Sequence, residues 1–411
     1  MDTLWDFAVI GGGASGMAAS VAAAKLGDRV LLLEKSPALG RKVAASGNGR
    51  CNLMNTGKPI YYGDSFFAND ILHCFPYDSL VRFWESLGLF LSEDSEGRVY
   101  PGTFHASSVN DALKTALRQN EVTIRLQTSV LSVVKSGQLF WIRTDKGDFT
   151  APRILIAAGG PASPKLGGTD AGFRILSSFG HHIVPPLPAL CPVQTDRKSI
   201  SGLSGIRSRC AVTLYDIHHR NICSHRGEVL FTDYGISGIC VMQCARYITH
   251  AGFTLELDLL DPFRMDNSDV ILVLKDRRKR FGLLPPEYLL NGILLPKLSF
   301  AVIKQAGISI KDRITMDLSD DDLNKILQVL RAYCLKVTGT LGLEDAQVSA
   351  GGASCKEFLP ETLESRIVPG LHASGEVLNV DGDCGGYNLM FAFSSGILAG
   401  MNRRAGTGCG I

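Results

Sequence analysis

The chain of 411 residues sets 42 Lys and Arg against 40 Asp and Glu, a formal net charge of +2, and 45% of its residues are hydrophobic. That length suits two or three packed domains, and the near-neutral balance argues against nucleic acid as a main partner. The eleven cysteines are odd in number and scattered without a CxxC pair, which excludes a disulfide framework and reads as a reduced, cytoplasmic protein.

The first strand pattern covers residues 6–10, leaving no room ahead of it for a signal peptide, and no apolar run is long enough to span a bilayer. Residues 11–16 read GGGASG and supply a GxGxxG turn. Residues 14–26 form an Ala-rich helix able to lie close on a sheet, and Val30–Leu33 is a second buried strand ending at Glu34. Each part has a task in holding a dinucleotide. Gly11 makes the turn, Gly13 lets backbone approach a pyrophosphate, and Gly16 allows close packing. The first helical residues, Ala14 and Ser15, offer N–H groups to the anion, and Glu34 accepts hydrogen bonds from ribose hydroxyls.

The next segment distinguishes NAD from FAD. Residues 35–52 read as a loop with the cations Lys35, Arg41 and Lys42, the polar residues Ser46 and Asn52, and the close-approach residue Gly47. A nicotinamide domain would continue into a crossover helix; this loop suits a cofactor running on past its pyrophosphate to a flavin ring. Cys51, with no partner cysteine nearby, reads as a small packed residue beside that ring. Residues 128–150 read as three short strands, turning at Ser136-Gly137 and Lys146-Gly147. A buried strand over 153–157 follows and stops at Ala158, Gly159 and Gly160. That sequence of elements fits an α/β fold with a glutathione-reductase-type Rossmann FAD-binding domain.

Pro185-Pro-Leu-Pro188 reads as a stiff exit from that domain. Strands are expected at 211–215, 228–232 and 254–258, helices at 269–281, 285–290, 294–306 and 320–333, and a strand again at 337–341. Ser319 is a good N-cap for the last helix, with Asp320, Asp321 and Asp322 at its positive end. The dense basic run 275–280 reads as a solvated helix face. Cys240 and Cys244, one helical turn apart, read as two small apolar side chains. The pairs His181-His182 and His218-His219 lack ligand spacing, so no metal site is expected. Near the end, residues 389–401 form a helix whose N-terminus would face the flavin pyrimidine edge, carrying about half an elementary charge. The expected division is an FAD domain over 1–187 and 346–411, an inserted β-rich domain over 188–265 and 334–345, and a helical cap over 266–333.

Several stretches together resemble the BaiN-like family of FAD-dependent oxidoreductases, also described as the aminoacetone-oxidase family and as YhiN-type flavoproteins. They are residues 40–42 with 49–52, 97–101, 230–238, 346–352 and 375–388, in the family's order across nearly the whole chain. The resemblance implies FAD contacts at Gly11, Gly13, Ser15, Glu34, Arg41, Lys42, Ser46, Gly47 and Asn52, and at Val130 through its backbone to adenine. It also implies contacts at Gly159, Gly375, Glu376, Asp381, Gly386, Tyr387 and Asn388. The chain departs from the pattern at Thr232-Asp233, where many members carry Thr-His, at Ser237-Gly238-Ile239, where they carry Ser-Gly-Pro, and at the turn 167–172, which lacks the expected Gly-Asp order.

These features lead to an expected flavoenzyme that moves a hydride between a small molecule and FAD. No second GxGxxG is visible, so NAD(P)H would dock transiently. The resemblance implies two chemistries: NAD(P)H-driven reduction of a carbon–carbon double bond conjugated to a ketone, as on steroid-like molecules, or oxidation of a small amine by oxygen. An enone reductase needs a donor for the ketone and an acid for carbon, groups that Arg50, Asp233 and Tyr234 carry. A flavin-dependent RNA-modifying or redox-sensing protein is the alternative of another class.

Overall fold

A computed structural model describes residues 4–402 apart from 312. The chain falls into two compact units, 1–187 with 348–411 and 188–347.

The first unit is built on a five-stranded sheet in the order Leu371–Ala373, Ile154–Ile156, Phe7–Ile10, Val30–Leu33 and Thr123–Arg125. Neighbouring strands run parallel throughout, with Ala8 opposite Ile154 and Leu31, and Ile154 opposite Leu371. Every residue of Phe7–Ile10 and Val30–Leu33 is buried. That burial explains why they read as continuous apolar runs rather than alternating ones. Helix Ala14–Lys25 packs over the sheet, with Met17 and Val21 fully buried in the core shared with Leu31, Ile154 and Phe393. The meander is present as Val130–Ser136, Leu139–Thr144 and Gly147–Ala151, paired antiparallel.

Three differences from the sequence reading concern this unit. The loop 35–52 contains a one-turn helix, Arg41–Ala45, because Gly40 takes a left-handed φ of 69° and turns the chain into it. The C-terminal helix is Tyr387–Met401, beginning two residues earlier than its apolar pattern. The proline stretch lies within a strand, Ile183–Ala189, of a two-stranded ribbon with Val348–Ala353. A ribbon consists of edges alone, and an edge strand accommodates residues that lack an N–H.

The second unit holds a closed barrel in the order Val193–Thr195, Gly235–Ser237, Asn221–Phe231, Arg207–Tyr215, Thr254–Asp258 and Tyr333–Thr340. Its strands alternate inward and outward. Val212, Leu214, Leu255, Leu257 and Leu335 are fully buried in one core with Leu274, Val302 and Leu330 of the helices. The expected helices are Asn267–Arg280, Pro296–Gln305 and Asp320–Arg331, and Pro286–Leu290 is a 3-10 turn. The last strand starts at Tyr333 rather than at 337. Tyr333 is opposite Leu257 and its hydroxyl donates to the Ser199 carbonyl at 2.6 Å, so barrel pairing overrides the helical spacing. No helix among the described residues is long and apolar enough to cross a membrane.

Candidate functional site

The glycine turn sits between the first strand and the first helix of the first unit. Gly11 has φ 112°, and a Cβ there would lie 2.4 Å from the Ala157 carbonyl oxygen. A Cβ on Gly16 would lie 1.9 Å from the Gly11 oxygen, so helix and strand meet only through glycine. Gly13 differs: added atoms there, or at Gly159, meet nothing within 4 Å. Both residues border open space, which is the room a pyrophosphate needs.

Glu34 lies at the end of its strand with its carboxylate folded back on the turn. Its Oε2 accepts from the Gly12 N–H at 2.8 Å and its Oε1 from the Ser36 N–H at 2.6 Å. A carboxylate has about four acceptor positions, so two ribose hydroxyls fit on those that remain. Thr128 N–H donates to the Glu34 carbonyl at 2.9 Å, which brings Val130 to the same end of the sheet. Ala158 and Gly159 follow the neighbouring strand, and Lys35 is exposed beside Glu34.

The loop after Glu34 returns to the turn, since Gly40 N–H donates to the Gly12 carbonyl at 2.9 Å. Two of the loop cations are engaged within the protein. Lys42 forms a half-buried ion pair with Glu376 at 2.7 Å, and Arg41 donates to the Lys165 carbonyl at 2.7 Å. Beyond them the backbone is strained: Gly47, Asn48, Gly49 and Cys51 have φ of 55°, 54°, 80° and 57°. Left-handed asparagine and cysteine cost energy and concentrate at functional loops. Ser46 closes the preceding turn, donating to the Val43 carbonyl, and accepts the Cys51 N–H on its own carbonyl. Gly47 lies against Asn52. The Cys51 thiol is fully buried, and burial pushes it up to about 11, so it is a protonated packing group rather than a reactive thiolate. Arg50 is exposed.

The C-terminal segment completes this site from more than 300 residues away. Ser15 Oγ donates to the Ser374 carbonyl at 3.4 Å, and Gly375 lies against the same hydroxyl. Glu376 is also held by the N–H and Oγ of Ser349 at 2.9 and 3.0 Å. Asp381, buried, pairs with Tyr62 in a two-stranded ribbon. Gly386 caps the C-terminal helix, and Tyr387 and Asn388 form its first turn. The Asn388 side chain locks the preceding loop, accepting from the Gly382 N–H and donating to the Gly382 carbonyl, both at 2.8 Å. Its backbone N–H and that of Tyr387 are therefore what the helix end offers a ligand. Tyr61 donates to the Tyr387 carbonyl at 3.0 Å.

Asp233 and Tyr234 are in the second unit, on the tight turn between Asn221–Phe231 and Gly235–Ser237. Thr232 braces that turn, through its N–H and its hydroxyl, to the Gly235 carbonyl at 2.9 and 3.1 Å. Among the described residues neither the Asp233 nor the Tyr234 side chain makes a hydrogen bond, so Asp233 does not serve as the brace. Sequence reasoning missed Ser349 as the residue orienting Glu376, although it lies inside one of the family stretches. It also missed a chain of His181, Glu357 and Ser365. His181 Nδ1 is 2.8 Å from Glu357 Oε2 and its Nε2 is 2.9 Å from Ser365 Oγ. The serine and imidazole are buried, Phe358 stacks on the ring, and Ser365 Oγ accepts the Ile367 and Val368 N–H groups. This arrangement braces a loop.

The glycine turn, the acid, the open flanks at Gly13 and Gly159 and a helix N-terminus supplied by the far end of the chain together fit FAD. Comparison with known proteins agrees. The chain matches the HI0933-like protein Rossmann domain family over residues 5–402. It is 34% identical over 402 residues to a 3-dehydro-bile acid delta(4,6)-reductase of Clostridium scindens, covering 95% of this chain and 97% of that protein. It is 30% identical over 404 residues to a ribosomal RNA dihydrouridine synthase of Escherichia coli, covering 95% and 96%. Among solved structures it matches a 3-ketosteroid-delta4-(5alpha)-dehydrogenase of Rhodococcus jostii with TM-score 0.48 and 14% identity, over 97% and 96% of the two chains. The chain belongs to the HI0933-like Rossmann-domain family and is an FAD-dependent oxidoreductase.

Proposed function

We propose that this protein reduces a carbon–carbon double bond conjugated to a ketone in a small steroid- or bile-acid-like molecule, with NAD(P)H as a transiently docked donor. The observation that carries this reading is the end-to-end similarity to the Clostridium scindens reductase. Bound FAD supplies the hydride relay between donor and substrate. The protein's part is to hold the dinucleotide at Gly13, Glu34, Gly159, Gly375 and the Tyr387–Met401 N-terminus, whose partial positive charge favours an anionic ring edge. Lys42 and Glu376, joined with Ser349, fix the loop and the C-terminal segment against each other. As candidate donors for the ketone and the carbon we assign, in each unit taken by itself, the exposed Arg50 of the first and the exposed Asp233 and half-buried Tyr234 of the second.

The ribosomal RNA relatives supply a second reading of related chemistry, since the uracil double bond is also conjugated to a carbonyl. The near-neutral charge balance of the chain favours the small molecule. Lys275 and Arg278 both face Asp320 at 2.8 and 2.9 Å, and Arg277 donates to the Leu289 carbonyl. Part of the basic run 275–280 is thus engaged within the protein, which reduces what it offers a phosphate backbone. Anaerobic mixing with NADH or NADPH, followed by a steroidal enone, tests the proposal. Flavin bleaching by the nucleotide and recovery on adding the enone, with the saturated ketone as product, is the expected result. Bleaching by an amine alone, or turnover only with ribosomal RNA, would refute it.

A further inference from the structure

Outside the flavin site, the second unit gathers three soft ligand atoms. Cys223 Sγ, a ring nitrogen of His225 and Cys244 Sγ all lie within 4.8 Å of one another. Cys223 and His225 are two apart on Asn221–Phe231 and project from one face, opposite Leu214 and Val212, both fully buried. An imidazole and a thiol therefore occupy inward-facing positions that the alternation would fill with aliphatic residues. Cys244 follows the short helix Ile239–Met242, which lies directly on this strand at Gly227, where a Cβ would come 3.2 Å from Cys240 Sγ. The glycine thus sets the height at which Cys244 meets Cys223.

We propose that Cys223, His225 and Cys244 bind a zinc-type divalent ion, with water or a further donor in the fourth position. The spacing is that of a coordination polyhedron. Two thiolates bound at about 2.3 Å in tetrahedral geometry stand about 3.8 Å apart; Cys223 Sγ and Cys244 Sγ stand at 3.6 Å. The ligand set, two thiolates and an imidazole, selects zinc among abundant divalent ions. Cys244 is fully buried while Cys223 and His225 are half-buried, giving a dry interior and an open rim for the ion to pass. Binding releases both thiol protons to solvent, so the two thiolates cancel the ion's charge and no net charge enters the core. In the metal-free arrangement Cys223 donates to Cys244, and Cys244 donates to the Cys240 carbonyl at 3.5 Å; the ion replaces the first of these contacts.

Cobalt(II) titration of the reduced, FAD-loaded protein tests this, because ligand-field bands of tetrahedral thiolate-bound cobalt lie at longer wavelength than oxidised flavin. The expected result is saturation at one cobalt per chain, displacement by zinc, and proton release on binding. Cys223→Ser and Cys244→Ser should each weaken the metal by more than about 100-fold, beyond what loss of an outer-shell partner causes. Cys334→Ser, an exposed thiol outside the cluster, should leave it unchanged. Flavin content and thermal melting report whether each variant is folded. Absence of tetrahedral bands in the wild-type protein overturns the proposal, as does binding that survives both serine variants. So does a Cys223–Cys244 disulfide that forms in air with stoichiometric zinc present.

Discussion

His372 lies in the edge strand Leu371–Ala373, fully buried, with its ring edge-on to Phe7. Its Nδ1 faces the Gly370 and Ile154 carbonyls at 3.2 and 3.3 Å, and Asn402 Nδ2 approaches its Nε2 at 3.1 Å. This network fits the neutral ring protonated on Nδ1 and leaves no acceptor for a second proton among the described residues. Burial, reinforced by nearby Arg153 and opposed by Glu364, lowers the imidazole from its ordinary 6.5 to about 4. Between those values the unfolded chain holds one proton more than the folded chain, so stability falls as the pH falls. The full effect is roughly 3 kcal/mol, at 1.36 kcal/mol for each pH unit. Urea unfolding of the FAD-loaded protein between pH 7.5 and pH 4.5 should show this loss beginning near pH 6.5. His372→Asn, already less stable at neutral pH, should have a shallower slope by about one proton. Equal slopes for both proteins would refute the reasoning.

Two further outcomes follow from residues already described. Gly13 has an ordinary extended φ of −83° and open space beside it. Gly13→Ala should therefore fold with stability within about 0.5 kcal/mol of the parent yet purify with little bound flavin, as absorbance would show; a fully yellow variant would contradict the pyrophosphate assignment. Ser319 accepts the Asp322 N–H at 3.0 Å in a reciprocal capping box. Ser319→Ala should cost about 1 kcal/mol in denaturant unfolding, without altering flavin content.

The dinucleotide fold was legible because its signals are local. Residues 6–34 place an apolar strand, a glycine turn, a small-residue helix and an acid within one supersecondary unit, and the structure keeps that order. Where long-range contact decides, the pattern misled. The spacing of Leu330 and Tyr333 continues a helix, but pairing with Leu257 draws Tyr333 into the barrel. Lys42 reads as a loop cation, and its pairing with Glu376, 334 residues on, is invisible in the sequence. The helices Ser65–Cys74, Tyr77–Ser86 and Ala106–Gln119 went unread between better-marked motifs. The thiol and imidazole ligands are separated by up to 21 residues, and their spacing of two on a strand is invisible to a search for helical ligand pairs.

The parallel sheet is completed in the order of synthesis, its edge strand Leu371–Ala373 last of the five. Ile154–Ile156 has Phe7–Ile10 on one flank within moments of translation, but its other neighbour, Leu371–Ala373, emerges only after the whole barrel unit. At ordinary ribosomal speeds the nascent polypeptide waits on the order of ten to forty seconds with that strand's N–H and C=O groups unpaired. An open, fully apolar border of this kind invites pairing with a neighbouring chain. A chain truncated before Leu371 would therefore keep that border open and be prone to self-association.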